Sequence, residues 1–493
     1  MAESGKLPLV RQSFVTAGIC VNILSHGCMV GFPAVLLPQL SRPGAAITLT
    51  ADASSWLASL MMVPLLVGNF FVPSIMDRLG RKVAHHSVII PAIAGWLALA
   101  MADSLTTLVI GRLLQGLSFG LMLPLRSAVI GEYTSPRFRG AFLMTVSLAQ
   151  ASGIFLVHLL GSFIDWQITA LICVIFPFIS LVITLYTPES PVYLASKGRI
   201  DECRDVFRWL RGFDEEEELE EMIEARSIEL ENENGGFREF LMTLKKKEFY
   251  KPVMIMIHAN GMMQFAGGTT MAAYSTTIIA LILGPSANAS FWMIFLDGQR
   301  IVFNFLAVYV INKHKRRTMM ISIGGLCVIS HLAIAVYVYS RNSGIILYDA
   351  IWIPVALLNL QFFTVATGMV PLPNVIAGEI FPFQYRGVGG SVSVIAVSGF
   401  SFLVLKTFPT LSISIGIEGL YLGYALIMMY FLMVVWFMLP ETKGKTLQQI
   451  EDEFRGTPRK VEEPLMVLKN VSSKTNVNRK MSVISNYSLV VEL

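Results

Sequence analysis

The chain has 493 residues, of which 54% are hydrophobic and 15% charged, with a mean hydropathy of +0.62 and a formal net charge of +4. Soluble domains carry about 25% charge, so this balance excludes an ordinary soluble globule. The surplus of Lys and Arg lies in loops and tails and implies no nucleic-acid partner.

A bilayer core takes roughly 20 apolar residues per helix. About twelve such segments follow one another, near 14–37, 55–76, 84–102, 106–131, 140–162, 167–187, 251–283, 290–311, 318–340, 345–377, 388–409 and 416–438. The first, starting at Phe14, is too long and has the wrong end for a cleavable signal. The seventh and tenth are over-long and read as tilted or running on into loops. Pro124, Gly153, Gly267, Gly268, Pro371 and Pro373 sit inside spans, where they permit bends and close helix approach.

Residues 188–250 interrupt the pattern. Asp201 to Arg211 reads as an amphipathic helix with Val206, Trp209 and Leu210 on one face, and Asp214 to Glu221 holds seven acids in eight positions, a solvated charge block. Residues 445–493 are polar and read as a disordered tail. The expected organisation is a first six-helix bundle over 1–187, a helical linker over 188–250, a second bundle over 251–444 and the tail over 445–493. The bases Arg78, Arg81, Lys82, Arg137, Arg139, Lys313, Lys315, Arg316, Arg317 and Arg386 fall in alternate loops. The intervening loops hold little beyond Arg42, Asp103, Asp165 and Arg341. The basic loops should face the cytoplasm, with both termini inside. Asn288-Ala289-Ser290 then lies outside as a possible glycosylation acceptor, whereas the matching Asn470 and Asn486 lie in the tail.

The two bundles are written alike. Gly131-Glu132, six residues and Arg139-Gly140 return as Gly378-Glu379, six residues and Arg386-Gly387. Asp77-Arg-Leu-Gly-Arg-Lys82 is echoed by Asn312-Lys-His-Lys-Arg-Arg317. Parallel repeats of this kind build many secondary transporters, with the solute held between the halves. Acids contribute little to topology, so Asp77, Glu132, Glu379 and Glu441 beside bases imply ion pairs. Pairs across two rocking halves could latch one access state.

These elements resemble the sugar porter branch of the major facilitator superfamily. The matching motifs are Asp77-Arg-Leu-Gly-Arg-Lys82, Gly111-Arg112, Glu132 with Arg139-Gly140, Pro188-Glu-Ser-Pro191, Glu379 with Arg386-Gly387 and Pro440-Glu-Thr-Lys-Gly444, in order across about residues 10–455. Gly131-Glu132-Tyr133 and Leu405-Lys-Thr-Phe408 look most like the facilitative trehalose- and glucose-type transporters of insects. The resemblance implies an all-α membrane protein of twelve helices in two pseudo-symmetric bundles with cytoplasmic linker helices. It also implies a monomer in the plasma membrane, sugar as solute, and no cofactor or enzymatic chemistry. It places Asp77, Arg78, Arg81, Arg112, Glu132, Arg139, Arg316, Arg317, Glu379, Arg386 and Glu441 in a gating network. Asn312 and Val192 depart from the family's acid and arginine and weaken it.

At the family's solute site only Gln264 and Tyr274 keep their residue types. Its other polar and aromatic positions fall on Met263, Thr269, Ser147, Asn374 and Ser398. A sugar needs amide and hydroxyl partners and an aromatic face, so Gln264, Thr269, Tyr274, Asn374 and Ser147 are the candidate ligands. Asp297 and Arg300, at i, i+3, form a candidate intramembrane pair, with Arg300 facing the solute. His158 and His258 are candidate cavity residues, whereas His85 and His86 read as loop-edge residues. The absence of an acid near Gly31-Phe32-Pro33 favours facilitated diffusion, with Asp297 keeping proton symport as an alternative. Other readings are an organic anion or glycoside as solute, held by Arg300, or a non-transporting sugar sensor. The cysteines Cys20, Cys28, Cys173, Cys203 and Cys327 give no disulfide framework, and no spacing suggests a metal site.

Overall fold

A computed structural model describes residues 6–45, 47–213, 215–231, 247–284, 287–345, 350–381, 386–443, 445 and 447–455. Twelve helices among them are long and apolar enough to cross a membrane: Leu7–Leu40, Ala51–Leu79, Arg81–Ala100, Leu105–Tyr133, Pro136–Phe163, Trp166–Tyr186, Phe249–Leu283, Ala289–Ile311, Arg316–Asn342, Trp352–Ile380, Gly389–Ser414 and Gly416–Met438. Among the described residues there is no strand. Many large apolar side chains, such as Phe71, Leu185 and Phe437, stand exposed on the rim, as a lipid-facing surface requires.

Glycine sets how closely the helices cross. A Cβ on Gly27 would strike the Gln150 carbonyl, and one on Gly153 that of Leu24. The first and fifth spans therefore meet backbone to backbone.

Both over-long spans are broken. The seventh divides into Lys247–Phe265 and Gly268–Leu283, with Gly267 left-handed at φ 92°, a conformation only glycine adopts freely. The tenth carries a π-turn over Val365–Met369, with Val370 N bonded to Val365 O at 3.1 Å, ahead of Pro371 and Pro373. The first span breaks as well, into Lys6–Gly31 and Pro33–Leu40. Pro33 has no N–H for the Met29 carbonyl, and Pro38 none for that of Ala34. Both carbonyls find other donors: Arg112 Nη1 at 2.8 Å from Met29 O, and Thr276 Oγ1 at 3.0 Å from Ala34 O.

After the sixth span come helices Pro191–Ser196, Ile200–Arg211 and Glu216–Glu231. The second is the expected amphipathic helix and docks on the first half. Its Trp209 and Leu210 carbonyls accept from Arg11 Nη1 (2.9 Å) and Gln12 Nε2 (3.2 Å). The acids of the third pair with the bases of the second: Arg208 with Glu216 at 2.5 Å, Arg211 with Glu218 at 2.9 Å, and Arg204 with Glu220. The tail begins as a helix, correcting the expectation of disorder from residue 445. Leu447–Arg455 buries Ile450 and Phe454 against the second half. Residues 456–493, with Asn470 and Asn486, lie outside the described residues.

Candidate functional site

At the end of the bundle that carries the motif loops (the basic end), each half builds one bracket. In the first half, Arg81 Nε and Nη2 donate to Glu132 Oε1 at 3.1 and 2.7 Å, and Nη1 to Met76 O at 3.0 Å. Glu189 Oε1 accepts from Arg81 N at 2.8 Å, and Ser190 Oγ donates to Glu132 Oε2. In the second half, Arg316 Nε and Nη2 donate to Glu379 Oε1 at 3.2 and 3.0 Å, and Nη1 to Ile311 O at 2.7 Å. Glu441 Oε1 accepts from Arg316 N at 2.9 Å, and Thr442 Oγ1 donates to Glu379 Oε2 at 2.6 Å. Pro188-Glu-Ser-Pro191 and Pro440-Glu-Thr-Lys443 thus do one job. Each supplies the carboxylate that caps a helix N-terminus and the hydroxyl that completes the glutamate's bonds.

The expected latch across the halves is not what these residues make: each bracket closes within its own half. Asp77 stands at the periphery, 4.0 Å from Arg81 Nη1 and 75% exposed. Among the described residues the Arg78 carbonyl accepts from Tyr193 Oη, Arg139 Nη2 donates to Gly131 O, and Arg317 Nη2 donates to Trp436 O. The side chains of Arg386 and Asn312 lie outside the described residues. Arg112 does not belong to the basic end. It is buried toward the other end and donates to Leu57 O, Met29 O and Gln115 Oε1 at 3.0, 2.8 and 2.9 Å. It staples three spans of the first half by taking carbonyls that breaks and prolines expose.

The halves meet at the far end. Three sets of polar contacts join them there. Lys406 Nζ reaches Asp52 Oδ1 (2.5 Å) and Ser55 Oγ (2.8 Å) while lying 4.4 Å from the Trp56 ring centroid. Thr276 donates to Ala34 O. His158 Nδ1 lies 2.5 Å from Asp297 Oδ2, with Nε2 3.1 Å from Ala272 O and from Gly31 O of its own half. Asp297 therefore turns to His158, not to Arg300, and the expected i, i+3 pair is not formed. Arg300 is half-buried one turn further along, with no hydrogen bond or ion pair among the described residues. His258 is packed inside the second half against Tyr430 and Phe431. His85, expected at a loop edge, is buried and hydrogen-bonded with Ser180 and Thr184.

Of the candidate solute ligands, the break in the seventh span joins two: Thr269 Oγ1 donates to Gln264 Oε1 at 2.7 Å. Gln264 Nε2 makes no hydrogen bond among the described residues and is free to donate. Tyr274 sits at a kink, donates to Leu405 O at 3.0 Å and stacks on Phe408 at 4.7 Å, so its hydroxyl is engaged within its own half. Ser147 and Asn374 are exposed, and Asn374 bonds only its own helix, at Val370 O. Ser398 is buried with an unpartnered hydroxyl. Asn288 is exposed and caps the eighth span through its Oδ1.

Two groups escaped the sequence reading. Gln361 donates to the Ala266 carbonyl freed at the seventh-span break (3.3 Å), and its Oε1 accepts from Tyr421 Oη at 3.1 Å. Nothing in the sequence marks that link. Arg126 is half-buried in the fourth span without a hydrogen-bond partner among the described residues, and a lone cation inside an apolar run is a legible signal.

Residues 12–454 match the family model described as "Sugar (and other) transporter". Over 462 residues the chain is 28% identical to a facilitated trehalose transporter Tret1 of Bombyx mori, covering 92% of this chain and 89% of that one. It is 29% identical over 461 residues to the sugar transporter ERD6-like 6 of Arabidopsis thaliana, covering 92% and 93%. Among solved structures it resembles the inward open conformation of the xylose transporter XylE from E. coli. The TM-score is 0.71 at 18% identity, over 90% of this chain and 99% of that one, a likeness of fold.

Proposed function

The chain belongs to the sugar (and other) transporter family, and on that premise we propose that it carries a sugar of the trehalose or hexose class down its gradient by alternating access. One observation carries this reading. The polar seam between the halves closes the far end, while each bracket at the basic end is complete within its own half and leaves the halves free to part there. Gln264 and Thr269, at a helix break between the two ends, offer an amide and a hydroxyl to a polyol. The relatives named above are transporters of trehalose and sugar, and moving a solute requires no covalent step. In this reading the basic loops face the cytoplasm, both termini lie inside, and a monomer works in the plasma membrane. Uptake of labelled trehalose and hexoses into liposomes holding the purified protein tests it; no saturable uptake of any of them would overturn it.

A second reading follows from Arg300, a half-buried cation whose nearest acid is engaged elsewhere. An anionic sugar or organic anion would supply the missing charge. Inhibition of uptake by such anions, abolished in Arg300→Gln, distinguishes the two.

A further inference from the structure

We propose that the His158–Asp297 pair is a proton-binding site in the seam between the halves: closing the far end of the transporter takes up one proton, and opening it releases one. The inference rests on the alternating-access reading, in that the halves must part here, but not on which solute is carried.

Hydrogen-bond geometry sets the proton count. His158 Nε2 faces two carbonyl oxygens, of Gly31 and Ala272, each at 3.1 Å. Carbonyls only accept, so Nε2 carries its hydrogen. A neutral imidazole has one N–H, which leaves Nδ1 as a bare lone pair 2.5 Å from Asp297 Oδ2. An ionised carboxylate is also acceptor-only, and two acceptors at that distance repel unless a proton lies between them. The other tautomer moves the same conflict to Nε2, bare against two carbonyls. The closed seam therefore holds one proton more than a neutral histidine plus a carboxylate, whether that proton resides on Nδ1 or Oδ2. Both side chains are sealed, at 0% and 5% exposure, so water cannot take its place.

The four groups come from both halves: Gly31 and His158 from the first, Ala272 and Asp297 from the second. When the halves separate, histidine and aspartate meet water, which satisfies a neutral imidazole and a carboxylate separately, so neither needs the shared proton. A solvated imidazole is neutral above pH of about 6.5; there the parted seam holds no extra proton, so closing binds H+ and opening returns it to solution. Acid therefore favours the closed seam. By linkage, the open-to-closed ratio rises by up to tenfold per pH unit above about 6.5.

Other titratable groups on the packed elements are engaged or remote. Arg300 acts on Asp297 through space and stays charged throughout, so it offsets the carboxylate without supplying a proton. On the first span Cys28 donates to Gly153 O, and His26 is within 2.9 Å of Ser118 Oγ. Cys173 on the sixth span neighbours Cys28. On the seventh, Tyr274 donates to Leu405 O and His258 is packed against Tyr430. The fourth span offers Arg112, held by carbonyls, and Arg126, which acts on His26. Glu132, Tyr133, Arg137 and Arg139 of the fourth and fifth spans, and Glu379 of the tenth, lie at the basic end. Tyr309 and Lys313 close the eighth there.

The test uses no solute, so a failure of sugar uptake leaves it intact. Spin labels go on Met101→Cys and Ile413→Cys, one at the far end of each half, exposed at 78% and 76%. The background is Cys20→Ser, because the other native cysteines are buried. In lipid nanodiscs, raising pH from 5.5 to 8.5 should increase the long-distance population at least tenfold relative to the short one. Asp297→Asn should abolish that rise: its amide can donate to Nδ1 while Nε2 keeps its hydrogen on the carbonyls, so the seam closes without taking up a proton and raising pH no longer favours opening. A wild-type distance distribution that is the same at both pH values overturns the proposal, whether or not the variant folds. So does an asparagine variant that responds as wild type does.

Discussion

Arg81 and Arg316 make the same set of contacts in opposite halves of the chain. Each guanidinium grips the glutamate of its own half's Gly-Glu motif and one carbonyl of the preceding span, and each backbone N–H is capped by the glutamate that follows that half's last span. The repeat in the sequence is thus a repeat of one electrostatic bracket. The consequences differ because the first bracket also holds the linker, through Ser190 at the N-cap of Pro191–Ser196.

Replacing Glu132 by Gln should loosen that linker, whereas Glu379→Gln should not. Glu132 and Arg81 are 13% and 10% exposed, and leaving a mostly buried guanidinium without its carboxylate costs about 1–3 kcal/mol. Cys203 reports on how tightly the linker helices pack on one another, Pro191–Ser196 included: it is buried with Leu194, Phe207 and Leu219, and burial pushes its thiol up to about 11. In a Cys20→Ser background, alkylation of Cys203 should accelerate about tenfold in Glu132→Gln, the equivalent of ~1.4 kcal/mol. Equal acceleration in both variants would mean general destabilisation instead.

Arg112 should behave as a structural residue. Arg112→Ala exposes two buried carbonyls and an amide oxygen to no donor, at about 1–3 kcal/mol each. The variant should melt well below wild type and lose monodispersity on size exclusion. Arg112→Lys should fail to rescue it, because one ammonium cannot reproduce the guanidinium fork. An alanine variant that melts normally yet transports slowly would restore Arg112 to a gating role.

Gln264→Ala should raise the Michaelis constant for uptake about tenfold, at unchanged surface expression, because it removes the free amide donor at the seventh-span break; one hydrogen bond of about 1.4 kcal/mol corresponds to that factor. Thr269→Val should have a smaller effect of the same kind, since it frees Gln264 Oε1 rather than deleting it. Unchanged uptake kinetics in both would place the solute elsewhere.

Lys406→Ala should bias the protein toward opening at the far end. Its partner Asp52 is 76% exposed, so the ion pair contributes about 0–1 kcal/mol, and the contact with Trp56 adds about 0.5–1 kcal/mol. The open population, read with the spin labels at Met101→Cys and Ile413→Cys, should rise several-fold. No change would assign the seam to His158–Asp297 and Thr276 alone.

Twelve spans and a doubled motif were legible in the sequence because both are local properties. Apolar runs of bilayer length and charged loops between them need no knowledge of neighbours. The residues of both brackets were legible too, but not their partners: Glu132 and Arg81 are far apart in the chain, and nothing local says that each bracket closes within its half. Breaks were half-visible. Gly267, Pro33 and Pro38 announce lost helical bonds, yet only packing decides that Gln361, Arg112 and Thr276 take up the freed groups. Asp297 shows the limit most plainly. Sequence spacing offers it Arg300 on the same helix face, whereas the tertiary structure gives it His158 from the other half. The crossing of the fifth and eighth spans carries histidine and aspartate into one dry seam, where a shared proton satisfies both and a neighbour along the helix could not.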